Sequence, residues 1–386
     1  MKNRIYLDHA ATTPVSEPVL EVMLPFFREQ PGNASSVYGT GRESRRAIEY
    51  ARKQVASAIG AEAGEIVFTS GGSESDNLAV KGTAFALKNK GNHIITSSIE
   101  HPAVLNTCRW LKKAGFDISY VCPDHEGKIV PDTIRGLIRK ETILISIMTA
   151  NNEIGTIEPV QKIGEIAREA GIVFHTDAVQ AVGSIPVDVN QMNADLLSLS
   201  AHKFCGPKGA GALFVRRGTP ICSLIHGGAQ ERGLRAGTEN VPAIAGLGKA
   251  IESAVEHLAE NAEKARFLRN LLVRGILDMI PGTSLNGSAK EEDRLANNCN
   301  VSFSGVDGEA LLLRLDLAGI AASGGSACTS GSREISHVLT AIGLSREQAA
   351  GSIRLTTGPD NTEAEIQEAI RILKDIVTDL RLMSRP

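Results

Sequence analysis

The sequence predicts an α/β protein in which helices cover both faces of a mainly parallel sheet of seven strands. From about residue 65 to residue 215, short β-type runs alternate with helical patterns, which is the order that a parallel sheet requires. Several of the runs are apolar almost throughout, as strands buried on both faces are. The predicted strands are Ile66–Thr69, His93–Thr96, Ile118–Val121, Thr142–Ile147, Ile172–His175, Leu196–Leu199 and Ala212–Val215.

Helical patterns fill the gaps between these runs and continue beyond them. The clearest are Glu74–Lys88, Pro102–Ala114, Val160–Ala170 and a long pattern from Val241 to Met279. After Pro281 the sequence mixes helical and strand patterns and ends in the amphipathic segment Glu363–Leu382. We therefore expect a large domain over residues 15–255 and a smaller α+β domain formed by residues 1–14 and 256–386.

The composition is that of an ordinary soluble globular protein. Lysine and arginine number 41 against 44 acidic residues, for a net charge of −3, so we expect no nucleic-acid partner. The longest apolar stretches fall short of the roughly 20 residues that span a membrane, and residues 1–7 lack the layout of a signal peptide. These features predict a cytoplasmic protein that does not bind membranes.

Six cysteines are spread along the chain, at positions 108, 122, 205, 222, 299 and 328. None forms a C-x-x-C pair or stands at zinc-site spacing from a histidine, so we predict no metal site. In a reducing compartment the first five are expected to be free thiols. Cys328 differs, because it lies in the small and polar stretch Ser323–Ser332, a composition that favours a mobile loop.

Polar residues follow several predicted strands, and parallel sheets bind ligands at the carboxyl ends of their strands. Lys203 follows one apolar strand and precedes a glycine-rich turn. Held there, it can have a lowered pKa and form an imine; a loop lysine on the surface is the alternative. Asp177 follows another strand and can pair with a protonated pyridine nitrogen, while Gln180 could bind a phenolic oxygen. Taken alone, Asp177 could equally be a turn or cap residue.

Two further segments complete the pattern. Residues 69–77, Thr-Ser-Gly-Gly-Ser-Glu-Ser-Asp-Asn, run from a strand into a helix, and the free amides of a helix N-terminus bind phosphate; an ordinary glycine turn is the alternative. His101 precedes Pro102 at another predicted helix start, where it can stack on a planar ring and relay protons, or fill a structural role. Together the four segments describe a pyridoxal-phosphate pocket.

Two motifs add a specific likeness: Ser200-Ala-His-Lys203 and Gly325-Ser-Ala-Cys-Thr-Ser-Gly331. With them the chain resembles the cysteine desulfurases, in the class V aminotransferase branch of fold-type I pyridoxal-phosphate enzymes, nearly from end to end. The resemblance implies that Lys203 carries the cofactor as an imine and that His101 stacks on its ring. It also implies that Asp177 binds the pyridine nitrogen and Gln180 the phenolic oxygen.

The same resemblance implies a homodimer and a full set of ligand contacts. Arg354 would bind the substrate carboxylate, and Asn152 would contact both cofactor and substrate. The residues implied to hold the phosphate are Gly72, Ser73, Ser200, His202 and, from the partner subunit, Thr238.

Cys328 separates this interpretation from a general aminotransferase. The resemblance implies that L-cysteine is converted to L-alanine and that Cys328 holds the sulfur as a persulfide. An iron–sulfur scaffold protein or a thiolation enzyme would then accept the sulfur. The alternatives are a selenocysteine lyase, another class V aminotransferase, or an inactive relative that only binds partner proteins.

Overall fold

The computed structural model describes residues 4–324 and 335–383. No helix within those two ranges is both long and apolar enough to cross a membrane. The helices are α1 (Glu17–Arg28), α2 (Gly39–Ala58), α3 (Gly72–Ala86), α4 (Pro102–Lys113), α5 (Pro131–Leu137), α6 (Val160–Ala170), α7 (Val241–Glu256), α8 (Leu258–Met279), α9 (Gly308–Leu317), α10 (His337–Ala341), α11 (Arg346–Ala350) and α12 (Glu363–Met383).

The strands form a large sheet and two small ones. They are β1 (Ile5–Tyr6), β2 (Ile66–Thr69), β3 (His93–Ser97), β4 (Asp117–Val121), β5 (Thr142–Ser146), β6 (Val173–Asp177), β7 (Leu196–Ser200), β8 (Gly211–Val215), β9 (Thr283–Leu285), β10 (Asn298–Phe303), β11 (Ile320–Ala321) and β12 (Ser352–Thr356). The order of the large sheet is β2-β8-β7-β6-β5-β3-β4.

The large sheet has the seven strands and the mainly parallel layout that the sequence predicts. Only β8 runs against its neighbours, because it pairs antiparallel with both β2 and β7. The other six strands therefore point the same way, and their carboxyl ends meet at one edge. The α/β fold class is confirmed, and each predicted strand of this sheet is present with its ends shifted by two residues at most.

The helical predictions also hold, with one difference. The pattern from Val241 to Met279 is two helices, since α7 ends at Glu256 and α8 begins at Leu258. No glycine or proline marks the break at His257, so periodicity alone could not place it. The long C-terminal helix α12 runs from Glu363 to Met383, one residue beyond the predicted end.

The apolar core is divided into several clusters. The largest packs α1, α2, α6 and α7 against the large sheet. A second joins α8, α9 and α12 to the three-stranded sheet, which has the order β12-β10-β9. The N-terminal strand β1 pairs with β11 beside this second cluster. The domain boundaries that the sequence suggests, at residues 14–15 and 255–256, remain a prediction.

The chain that follows β1 links the second cluster to the edge of the large sheet. The amide of Thr356 donates to Leu7 O at 2.7 Å, and the amide of Ala10 donates to Thr356 Oγ1 at 2.9 Å. Three residues later, Thr13 N donates to His202 O at 2.9 Å, beyond the end of β7. This short segment therefore places the two units side by side over the sheet edge.

Candidate active site

A cavity of about 560 Å³ opens at the edge where the carboxyl ends of the parallel strands meet. The described residues that the sequence singled out lie in its wall, with the exception of Thr238. Those in the wall are Gly72, Ser73, His101, Asn152, Asp177, Gln180, Ser200, His202, Lys203 and Arg354. Five strands of the large sheet and strand β12 of the smaller unit contribute to this set, so the fold brings together residues that lie up to 282 positions apart.

Lys203 lies in the short turn Ala201–Lys203 directly after β7. Its Nζ donates to two backbone carbonyls of the N-terminal segment, Ala10 O at 2.6 Å and Ala11 O at 2.8 Å. Gln180 Nε2 donates to the same Ala10 carbonyl at 3.0 Å. The N-terminal segment therefore holds both side chains at the cavity wall.

Asp177 is the last residue of β6, and its carboxylate accepts a hydrogen bond from Val179 N at 2.9 Å. Burial raises the pKa of Asp177 to about 6, while that bond and the charge of Lys203 act in the opposite direction. Asp76 of α3 also lines the cavity. Burial and the nearby Asp177 carboxylate raise the pKa of Asp76 well above its usual range. Of the two acids, Asp177 is the one positioned to carry the negative charge.

A buried polar network inside the large sheet lies next to these two acids. The imidazole of His175 contacts Ser146 Oγ at 2.8 Å and Ser198 Oγ at 3.0 Å, so it bridges β5, β6 and β7. Its Nε2 lies 3.7 Å from Asp76 Oδ1. Burial lowers the pKa of His175 to about 3, which keeps the ring neutral. The sequence analysis missed this network, although a histidine and two serines within otherwise apolar strands were its visible signal.

His101 is the N-cap of α4, as its position before Pro102 suggests. Its Nδ1 accepts a hydrogen bond from Ala103 N at 3.1 Å. Burial lowers the pKa of His101 to about 4, and the positive charge of Lys203 and the neighbouring His337 act in the same direction. The ring is neutral near pH 7, and the contact at Nδ1 places its hydrogen on Nε2.

The residue before it, Glu100, is a second acid that sequence reasoning missed. Its Oε1 accepts hydrogen bonds from Ser97 Oγ at 2.6 Å and Met148 N at 3.0 Å. Among the described residues Oε2 has no hydrogen-bond partner. Burial raises the pKa of Glu100 to about 8, against the effect of those two bonds. This raised pKa favours the protonated form of the carboxyl at neutral pH.

The start of α3 has the features that the sequence predicts for a phosphate cradle. No side chain caps this helix, whose N-cap is Gly71, so the amides of its first turn stay available to an anion. A Cβ at Gly72 would lie 2.7 Å from Val179 Cγ2, which explains the need for glycine there. Ser200 and His202 line the same side of the cavity, and His202 Nδ1 contacts Thr12 Oγ1 at 3.2 Å.

Arg354 reaches the cavity from the opposite side, out of strand β12. Its Nη1 donates to Asn152 O at 2.9 Å, and its Nη2 forms an ion pair with Asp8 Oδ1 at 2.9 Å. The arginine is 1% exposed. No pattern in the sequence indicated the pairing of Asp8 with Arg354.

One predicted residue that the structure describes stands apart from the cavity. Thr238 is exposed and does not contribute to the wall. Its segment is nevertheless tied to the phosphate cradle, because Arg235 Nε donates to Glu74 Oε1 at 2.9 Å. Cys328 lies outside the described residues.

The residues present fit pyridoxal phosphate in their chemistry. The uncapped helix start suits its phosphate, the amine of Lys203 suits its aldehyde, and the buried carboxylate of Asp177 suits its ring nitrogen. The cavity is large enough for the ring and an amino-acid substrate, whose carboxylate would match the guanidinium of Arg354.

Comparisons with known proteins agree with this chemistry. Residues 5–369 match the aminotransferase class-V family. A protein named cysteine desulfurase IscS, from Methanosarcina thermophila, is 56% identical over 380 residues, which cover 98% of this chain and 93% of that protein.

Solved structures show the same likeness. One described as a NifS-like protein has a TM-score of 0.92 at 41% identity, covering 98% of this chain and all of the other. Another, described as SspA in complex with cysteine, has a TM-score of 0.82 at 41% identity over 93% of this chain and all of that one. The chain belongs to the cysteine desulfurase family, within the class V aminotransferases.

Proposed function

We propose that this protein uses pyridoxal phosphate to convert L-cysteine to L-alanine and passes the sulfur, as a persulfide of Cys328, to an acceptor protein. One observation carries the proposal: a single cavity unites the amine of Lys203, the carboxylate of Asp177 and the guanidinium of Arg354. The family to which the chain belongs and the relative solved in complex with cysteine support the choice of substrate.

The cofactor would lie between the cradle at α3 and the side chains of Lys203 and Asp177. When bound, pyridoxal phosphate supplies an electron sink that stabilises negative charge at the α-carbon of an amino acid. The ionised Asp177 would hold the proton on the ring nitrogen. Burial and the Asp177 carboxylate raise the pKa of Asp76 beside it, which reduces the competing negative charge. His101 would stack on the ring, and Gln180 would bind its phenolic oxygen.

Residues on the Arg354 side of the cavity would orient the substrate. Arg354 would bind the cysteine carboxylate, with Asn152 beside it, and this fixes which bond at Cα faces Lys203. The Nζ atom of Lys203 would take the proton from Cα and return it. Holding the reacting groups in place in this way can supply on the order of 7–11 kcal/mol in favourable cases.

Sulfur transfer conserves every atom of the two reactants. The C–S bond of cysteine breaks as an S–S bond forms to the Cys328 thiolate, and a hydrogen replaces sulfur on the carbon that becomes the methyl group of alanine. His101 would take up the thiol proton of the substrate. Because its Nδ1 accepts the Ala103 amide, this uptake requires the ring to release that contact.

We further propose a homodimer in which Thr238 reaches the phosphate of the partner subunit. Thr238 is exposed, and its segment is anchored to the cradle through Arg235 and Glu74. Helices α1 and α2 both pack on α7, and they present large apolar side chains to the solvent, such as Phe27 and Tyr50. An iron–sulfur scaffold or a thiolation enzyme remains the proposed class of acceptor.

An absorbance spectrum of the purified protein, recorded before and after addition of L-cysteine, tests the proposal. The protein is expected to be yellow, to change its spectrum on addition, and to release alanine. A Cys328→Ala variant should bind cysteine with the same spectral change but release no sulfide with dithiothreitol. A yellow protein that forms no alanine would indicate another class V reaction, and normal sulfide release by the variant would exclude Cys328.

A further inference from the structure

We infer that Asp8 is a positioning residue for Arg354, and that through Arg354 it sets the preference of the active site for ligands with a free carboxylate. The inference rests on the role proposed above for Arg354. Asp8 lies two residues beyond the end of β1 and does not line the cavity. It therefore acts on Arg354 from outside the space that a substrate would occupy.

Two contacts fix the plane of the Arg354 guanidinium. Nη2 is held by the carboxylate of Asp8 and Nη1 by the carbonyl of Asn152, each at 2.9 Å. A planar group bound at two different nitrogens can neither rotate nor tilt freely, so the geometry of its remaining donors is fixed. Among the described residues, Asp8 is the one acid within ion-pair distance of Arg354.

Burial makes the Asp8 contact more important than a surface ion pair. The Arg354 side chain is 2% exposed and that of Asp8 19%. Exposed pairs contribute little because water and salt screen them. A buried guanidinium that loses its acid is left partly uncompensated, and such groups move or admit water. The structure also leaves Nε of Arg354 without a hydrogen-bond partner in the part of the chain that it describes, so few other contacts oppose that movement.

Asp8 is itself held firmly by strand β12, which carries Arg354. Residues 8 and 356 form a parallel bridge, and the amide of Thr356 donates to Leu7 O at 2.7 Å. Two residues farther on, the carbonyls of Ala10 and Ala11 accept from Lys203 Nζ. The same short segment thus sets the position of the carboxylate-binding arginine and contacts the reactive lysine.

The test compares ligands with and without a free carboxylate. Enzyme loaded with pyridoxal phosphate is titrated with L-alanine and with L-alanine methyl ester, and the spectral change gives each Kd. Asp8→Ala should raise the Kd for L-alanine about tenfold, the size expected for a lost charge-assisted hydrogen bond. Asp8→Asn, which keeps an acceptor, should raise this Kd only about threefold. The Kd for the ester should change less than twofold in either variant.

Controls separate positioning from a loss of folding. Asp316→Ala removes the acid of an exposed pair with Arg4 and should leave both Kd values unchanged, and thermal unfolding shows whether each variant is folded. If Asp8→Ala fails to fold, the Asp8→Asn titration decides. The role of Asp8 would be overturned if its variants bind L-alanine and the methyl ester more weakly by the same factor. It would also be overturned if L-alanine binds as tightly as to the wild type, or more tightly.

An Arg354→Lys variant identifies which proposal has failed. If Arg354→Lys loses the preference for the acid over the ester but the Asp8 variants keep it, Arg354 binds the carboxylate and the inference about Asp8 is wrong. If Arg354→Lys keeps the preference, the carboxylate site proposed for this enzyme lies elsewhere, and the inference fails with it. Alanine formation from cysteine, measured separately, tests the proposed reaction itself.

Discussion

The two sides of the cavity handle buried charge in opposite ways. The sheet wall, formed by Asp177 and Lys203 at the strand ends and by Asp76 of α3, brings two acids together, and burial raises the pKa of both. The arginine wall, formed by Arg354 and Asn152, keeps a positive charge buried because Asp8, which lies outside the wall, pairs with Arg354 at 2.9 Å. On the sheet wall, a bound proton neutralises excess negative charge of the carboxylates. On the arginine wall, the carboxylate of a second residue neutralises the positive charge of Arg354.

This difference assigns separate tasks to the two walls. An acid whose pKa lies near neutrality can exchange protons with a bound ring, and the sheet wall offers one such acid, Asp177, beside one that stays protonated, Asp76. A guanidinium held by a fixed acid cannot exchange protons but can orient a carboxylate. Under the proposed function, chemistry at the α-carbon would therefore belong to the sheet wall, and substrate selection would belong to the arginine wall.

The sharpest test of the sheet wall compares its two aspartates. Asp177→Asn removes the charge proposed to hold the ring-nitrogen proton, and kcat/KM for alanine formation should fall roughly 10²–10³-fold, as when a preorganised electrostatic partner is lost. Asp76→Asn copies the protonated form already present and should retain most of the activity. Equal losses in the two variants would show that the two acids are not distinguished as proposed.

On the arginine wall, the expected change is in substrate binding. Arg354→Lys keeps the charge but loses the planar pair of donors, so KM for cysteine should rise about 10–100-fold, the equivalent of one or two charged hydrogen bonds. The value of kcat should change much less. Steady-state kinetics over a range of cysteine concentrations check this, and a fall in kcat at unchanged KM would place Arg354 in the chemical step instead.

The cradle of the sheet wall offers a purely steric test. A methyl group at Gly72 would lie 2.7 Å from Val179 Cγ2, so Gly72→Ala should destabilise the fold by about 1–3 kcal/mol and weaken cofactor binding. The double variant Gly72→Ala/Val179→Ala removes the clash and should recover part of the lost stability and part of the lost cofactor affinity. Denaturant unfolding measures the stability, and cofactor titration measures the affinity. If neither recovers, the backbone rather than Val179 limits the side chain at position 72.

A last prediction concerns the proton held by Glu100, whose effect appears only in the pH dependence of stability. Its pKa is about 8 in the folded protein against an ordinary value of 4.5. Between these two values the folded state binds more protons than the unfolded state, so this residue makes the protein less stable as pH rises from about 4.5 to about 8. Glu100→Gln does not titrate and keeps the acceptor for Ser97 and Met148.

The free energy of unfolding, measured from pH 5 to pH 8, should therefore fall less steeply for Glu100→Gln than for the wild type. The difference in slope can reach about 1.4 kcal/mol per pH unit. Glu256→Gln, a change at an exposed acid, is the control and should follow the wild type. Parallel curves for Glu100→Gln and the wild type would mean that Glu100 is ionised in the folded protein.

The sequence predicts the sheet wall far better than the arginine wall. Alternation of apolar runs and helical patterns places the strand ends, and Lys203 and Asp177 lie at two of those ends. Arg354 instead lies inside a strand of the smaller unit, where periodicity marks no site, and only the family resemblance pointed to it. Its pairing with Asp8 spans 346 positions, a contact set by tertiary packing that no local pattern encodes.

The residues missed on the sheet wall have a different explanation. His175 and Asp76 meet only because α3 packs across β6 and β7, so their roles depend on how the helix is placed. Their types are informative in retrospect, since a buried histidine or aspartate requires polar partners. A search for polar residues within apolar strands would have found His175, Ser146 and Ser198 but not Asp76, which lies in α3.

The central claim, that sulfur leaves cysteine and is held on Cys328, can be tested in a single turnover. The enzyme loaded with pyridoxal phosphate is mixed with one equivalent of L-cysteine without reductant, alanine is quantified, and the protein is alkylated, digested and mapped by mass spectrometry. We expect alanine and persulfide in equal amounts, with the added sulfur on the peptide that contains Cys328. Alanine formed without sulfur on that peptide, or no alanine at all, would contradict the account.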